Sequence, residues 1–171
     1  MSVLDPIVQF IETGGWVLLW GILPAAFFLW SFILERFAYY AIAHKPVLKE
    51  FREEWNARDD KTSWRAHAIR DELISRVKVR TDQNVGIIKT LVAIAPLLGL
   101  LGTVTGMIEV FDIMALSGSS NARLMAGGVF KATIPTMAGM TVALSGLYFP
   151  AHFDRKSKRE VAKFADELGA V

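Results

Sequence analysis

Three stretches of this chain are almost purely apolar, and polar residues set their limits. The first, Trp16 to Leu34, contains no ionisable side chain. At ~1.5 Å per helical residue it matches the ~20 residues that cross ~30 Å of hydrocarbon. Trp16 and Trp20 open it and Phe37, Tyr39 and Tyr40 follow it, as aromatic residues do at the two faces of a membrane. Glu35 and Arg36 mark its exit. The second, Thr90 to Ile108, reads TLVAIAPLLGLLGTVTGMI between Lys89 and the acids Glu109 and Asp112. The third, Leu124 to Phe153, is interrupted by Lys131 and Pro135 and ends before Arg155 and Lys156. At about 30 residues it is long enough to project beyond the bilayer.

Between these runs the pattern becomes that of water-facing helices. Leu48, Phe51 and Trp55 recur at three and four residues among charged neighbours, which gives a solvated helix one packing face. Ser117, Gly118, Ser119, Ser120 and Asn121 make a turn that caps the third run, so the second and third fold as a tight antiparallel hairpin. Asp5 and Pro6 form an N-cap and N1 pair ahead of Ile7, Val8, Phe10 and Ile11, which predicts a short interfacial helix. That start lacks the Lys or Arg of a secretory leader and is expected to stay in the mature protein.

The predicted fold is an all-α membrane protein with three transmembrane helices, the second and third long and extending into a helical cytoplasmic domain. The expected divisions are a periplasmic amphipathic helix over 1–15, transmembrane helix 1 over 16–43 and a helical cytoplasmic loop over 44–84. Transmembrane helix 2 follows over 85–116, a periplasmic turn over 117–122, transmembrane helix 3 over 123–153 and a cytoplasmic tail over 154–171.

Composition agrees with a lipid-facing surface: 53% of the 171 residues are hydrophobic and mean hydropathy is +0.35, more than one soluble core of this size hides. Net charge is only +2, but the cations are segregated. Residues 44–89 hold eleven Lys and Arg and residues 1–15 hold none, so the positive-inside bias puts the N-terminus outside and the loop in the cytoplasm. Arg155, Lys156, Lys158, Arg159 and Lys163 put the C-terminus beside that loop. Acids such as Glu53, Asp71 and Asp82 interleave with the loop's cations, the mixture of a solvated helical face and not of a nucleic-acid-binding surface. Without cysteine, ligand-spaced histidine or a phosphate-binding loop, the sequence leads to no catalytic residue, no metal and no cofactor.

The polar groups inside the runs are more telling. The third carries Lys131, Thr133, Thr136, Thr141 and Ser145, and the second carries Thr103 and Thr105. Such hydroxyls either bond a carbonyl and fasten helices together or face a hydrated interior, and both readings stand for Thr103 and Thr136. Gly99, Gly102 and Gly106 let membrane helices approach closely, and Thr136, Gly139, Ala143 and Gly146 continue a small-residue stripe on the third helix. The second helix is therefore expected to be covered by protein and the first to meet lipid. Lys131 lies ~12 Å along the helix from Arg123, and a cation at a helix centre costs roughly 2.5 to 3.5 kcal/mol. Either its stem snorkels to the outer interface, or its amine points into an oligomer and pairs with an acid. Glu109 and Asp112 read as interfacial carboxylates.

LLGLLGTVTGMIEVF (Leu97 to Phe111) and GGVFKATIPTMAGMTVAL (Gly127 to Leu144) resemble the MotA/TolQ/ExbB proton-channel family. Gly99, Gly102, Thr103, Gly106, Phe111, Ala132, Thr136 and Gly139 fall on positions of its GxxGTVxGxxxxF and GxxEALxxTxxGL segments. Span order and the basic loop agree as well, and Glu12-Thr13-Gly14-Gly15 looks most like the ExbB branch of vibrio-type TonB systems. The resemblance implies a homo-oligomer, a pentamer, in the lipids of a bacterial inner membrane. It surrounds single-span ExbD-like helices with a membrane-embedded Asp and passes proton-driven motion to a TonB-like protein. By the same resemblance Thr103 and Thr136 line the pore. Lys131 stands where many members have glutamate, which shifts the proton-carrying role to the partner's aspartate and leaves Lys131 to tune or pair with it.

Two other readings remain beside this stator subunit: a TolQ-like or MotA-like motor subunit, and a non-conducting oligomeric scaffold. An intramembrane enzyme would need paired aspartates, a serine with a histidine, or a histidine and acid cluster within the spans, and the runs contain none.

Overall fold

The computed structural model describes residues 14–117 and 122–169, and these are almost wholly helical. Helix α1 runs over Gly15–Asn56, with wide π-helical turns at Leu18–Ile22 and Tyr39–Ala43. It is followed by α2 (Trp64–Asp82), α3 (Val85–Ser117), α4 (Ala122–Gly146) and α5 (Tyr148–Gly169). No strand occurs among the described residues. Three helical runs, Gly15–Asn56, Trp64–Leu116 and Met125–Gly169, contain a stretch long and apolar enough to cross a membrane. The chain is an all-α membrane protein. The helix expected over 1–15 and the turn expected over 117–122 fall almost entirely outside the described residues.

One feature differs from expectation: α1 is the longest of the described helices, continuing unbroken past its apolar run to Asn56. Pro46 does not stop it. The wide π-helical turn at Tyr39–Ala43 ends three residues before that proline, close to the turn whose ladder bond a proline cannot make.

The chain folds as two compact units. The first comprises Met1–Trp30 and Lys89–Leu147. Here α3 and α4 meet almost backbone to backbone. A Cβ on Gly99 would stand 2.9 Å from the Thr136 Cα, one on Gly106 2.8 Å from the Ala132 Cβ, and one on Gly139 2.5 Å from the Ala95 carbonyl oxygen. Gly102 lies against Pro135 and Gly128 against Val110. Residue numbers rise on α3 as they fall on α4, so the pair is antiparallel. Leu98 of α3 faces Gly21 of α1, while Leu29 and Val92 close over Gly146.

Glycine covers only one side of α3. Leu97, Leu100, Leu101, Val104, Ile108 and Phe111 on its remaining surface are exposed. Within the single chain 17% of its apolar stretch is buried, against 33% for α1. The seam that brings α4 so near is narrow because small residues occupy one stripe, and the rest of α3 carries large side chains that the chain itself does not cover.

The second unit comprises Ser31–Ile88 and Tyr148–Val171. Its core joins Trp55, Ala66, Leu73, Val77, Phe164 and Leu168, with Leu48 and Phe51 packed against it, so the predicted face of the charged loop is used. At the start of α2 the Ser63 hydroxyl accepts from the Ala66 amide at 3.2 Å. The Asp60 carboxylate accepts from the Thr62 and Ser63 amides at 3.1 and 3.0 Å. Hydrogen bonds from Ser63 and Thr62 hold the Asp60 carboxyl below the usual carboxylate range. The chain turns between α2 and α3 at Asn84, whose φ of 62° is the left-handed conformation that asparagine tolerates. Arg36, 1% exposed, fixes that turn from α1: its Nη1 donates to the Arg80 carbonyl at 3.1 Å, and its Nη2 and Nε hold Glu35 at 2.6 and 2.9 Å. Glu35 in turn accepts from Asn84 Nδ2 at 3.0 Å. Nearby, the Ser157 hydroxyl lies 2.8 Å from Thr81 Oγ1 and 2.5 Å from Asp82 Oδ1.

Candidate functional site: the glycine seam and the lysine cleft

Hydroxyls within the first unit divide into two kinds. Thr103 donates to the Leu100 carbonyl at 2.7 Å, Thr133 to Phe130 at 2.7 Å, Thr141 to Met137 at 2.8 Å and Ser145 to Val142 at 2.8 Å. Thr105 shares its proton between the Leu101 and Gly102 carbonyls, both at 3.1 Å. These bonds stay within one helix and satisfy a hydroxyl that would otherwise be costly in hydrocarbon. Thr136 differs. Its Oγ1 donates across the seam to the Gly99 carbonyl at 2.9 Å. A helical carbonyl keeps a second lone pair beyond its ladder bond, and only a residue without a side chain lets another helix come close enough to reach it. Gly99, Gly102, Gly106 and Gly139 thus sit where α3 and α4 touch. Thr103 lies one turn along α3 from Gly99 and is partly exposed.

Lys131 belongs to another place. It is exposed and lines a cleft of about 130 Å³ with Trp16 and Val17 of α1, Thr105 and Glu109 of α3, and Ala132 and Pro135 of α4. The structure therefore brings Lys131 together with Thr105 and Glu109, while Thr103 and Thr136 are not among the lining residues. Sequence reasoning left Glu109 as an interfacial acid. The signal that could have found it is register: once Gly106 is set against Ala132, an antiparallel hairpin carries the next turn of α3 past Gly128 and Lys131.

Residues 33–166, most of the chain and the whole of this seam, match a known family described as the MotA/TolQ/ExbB proton channel family. The chain belongs to this family. An ExbB-like biopolymer transport protein of Synechocystis sp. is 47% identical over 64 residues, 36% of this chain and 25% of that protein. The biopolymer transport protein exbB1 of Vibrio cholerae is 37% identical over 79 residues, 46% of this chain and 35% of that one. An ExbB-like biopolymer transport protein of Helicobacter pylori is 25% identical over 174 residues, 90% of this chain and 89% of its own length. The chain thus spans 25% and 35% of the Synechocystis and Vibrio relatives. All the seam glycines, Thr103, Thr136 and Lys131 lie inside the part that the MotA/TolQ/ExbB family matches.

Proposed function

We propose that this chain is the channel-forming stator subunit of a proton-driven motor of the bacterial inner membrane, ExbB-like in role. With an ExbD-like single-span partner it energises TonB-dependent import across the outer membrane. The N-terminus is periplasmic, and the unit built from α2 and α5 is cytoplasmic, following the distribution of Lys and Arg. The observation that carries the proposal is the Thr136 to Gly99 hydrogen bond, made inside the matched family segment. It joins the two spans that hold the hydroxyls and leaves the large apolar side chains of α3 facing away from its own chain. One hairpin cannot enclose a pore, so the functional unit is an oligomer, a pentamer by the family's pattern, with the partner's helices inside it.

In this reading Thr103 and Thr136 line the path, the partner's aspartate carries the proton, and Lys131 sets the electrostatics of the approach. The cleft supports that last role, because a lysine and Glu109 share it and either can be drawn to a charge from the partner. The expected results are a single complex mass containing both proteins and proton uptake by liposomes holding that complex under an imposed membrane potential. Lys131→Ala should lower the uptake without dissociating the complex. A complex that assembles and moves no protons would favour the scaffold.

A further inference from the structure

A second cavity, of about 230 Å³, opens in the unit built from α2 and α5, lined by Trp55, Lys61, His67, Arg70, Leu168 and Gly169. Half of this lining is basic and none of it is acidic. Elsewhere in the unit cations meet carboxylates: Arg52 with Glu167 at 2.5 Å, Arg76 with Glu72 at 2.6 Å, and Lys163 with Glu160 at 3.3 Å. Among the described residues Lys61, His67 and Arg70 have no such partner. Two of them are instead held by the backbone, with His67 Nδ1 3.0 Å from the Ser63 carbonyl and Arg70 Nη2 donating to the Ala165 carbonyl at 2.9 Å.

Behind this lining two nitrogens are closed off from solvent. Trp55 is 2% exposed, yet its indole N–H has no acceptor, and the Nε–H of Arg70 has none either. A buried donor left without a partner costs about 1 to 3 kcal/mol. Three basic side chains lining one cavity without a carboxylate partner among the described residues, at the N-terminal turns of α2, call for an acceptor that is itself negative.

We propose that this cavity binds a small soluble phosphate: an oxyanion held by Arg70 and balanced by Lys61 and His67, against the Trp55 ring. A lipid headgroup offers the same chemistry. However, Arg70 stands roughly 20 Å along α2 from Asp82, where the chain turns toward α3, and the headgroup layer is only ~6 Å deep. A soluble anion is therefore the occupant. Its binding would tie the end of α1, the start of α2 and the end of α5 together, and would make the cytoplasmic unit responsive to cellular phosphate.

The test uses the purified full-length protein in uncharged detergent at constant ionic strength, titrated with inorganic phosphate. Calorimetry gives the Kd, and the indole N–H resonance of Trp55, assigned through Trp55→Phe, reports the site. Saturable binding that moves this resonance is expected, with affinity about tenfold weaker in both Arg70→Gln and Lys61→Gln, the cost of one charge-assisted hydrogen bond or charge. Arg65→Gln, on the same helix but outside the lining, should leave the Kd unchanged. Three results would each overturn the proposal: no saturation, equal weakening by Arg65→Gln, or a Trp55 shift seen only in nanodiscs made with phosphatidylglycerol.

Discussion

The two units of this chain hold their helices by opposite means. In the first, α3 and α4 approach through absent side chains: Gly99, Gly102, Gly106, Gly128 and Gly139 bring backbone against backbone, and one hydroxyl, that of Thr136, crosses between them. In the second, large and charged side chains do the joining. Trp55 and Phe164 fill the core, and a buried Arg36 binds the free carbonyl at the end of α2. The contrast follows from solvent. Apolar side chains gain nothing by leaving lipid for one another, so close fit and interhelical hydrogen bonds must hold membrane helices together, whereas water drives the aromatic core of the second unit to assemble. A seam that depends on fit tolerates no added volume. A core surrounded by charged side chains tolerates surface change but not the loss of a buried ion.

The largest expected effect is therefore at the seam. Gly139→Leu forces a branched side chain into the Ala95 carbonyl and should cost about 3 kcal/mol, read as lost helicity or a lowered unfolding midpoint in mild detergent. A change below the error of that measurement would mean that the helices can separate freely at this point. Next comes Arg36→Met, which keeps an apolar stem but abandons Glu35 and the Arg80 carbonyl. About 2 kcal/mol should be lost in denaturant titration, with the hairpin's own unfolding unchanged. Equal loosening of both units would erase the distinction between them.

The smallest effect is at Asp60. Its folded carboxyl is held below the ordinary value, so the contribution is complete above about pH 4 and disappears as pH falls through the lower folded value. Protection of the Thr62 and Ser63 amides, measured against intrinsic exchange at each pH, should fall over that acid range, and Asp60→Ala should remove this loss.

Much of this was legible in the chain before its structure. The apolar runs reveal themselves because a bilayer demands some 20 consecutive residues, and the seam glycines because helical spacing puts them on one stripe. How much of α3 its own chain covers was not legible, since a stripe says how near one neighbour comes and not how many neighbours there are. Arg36 was invisible as a structural ion: its partner Arg80 is 44 residues away, and a cation at the end of an apolar run reads as an interface marker. Glu109 and Lys131 needed the hairpin's register, which no local pattern supplies.

The central claim is that the seam's hydroxyl serves proton movement as well as packing, and magnitude separates the two. An interhelical hydrogen bond in a membrane protein averages about 0.6 kcal/mol, which changes a population only about threefold. The decisive measurement is the initial proton flux into liposomes containing the complex, for the parent chain, Thr136→Ser and Thr136→Val, each normalised to intact complex. The proposal predicts flux near the parent's for serine and a loss of at least tenfold for valine at equal assembly. Valine flux within threefold of the parent would reduce Thr136 to a fastening between helices.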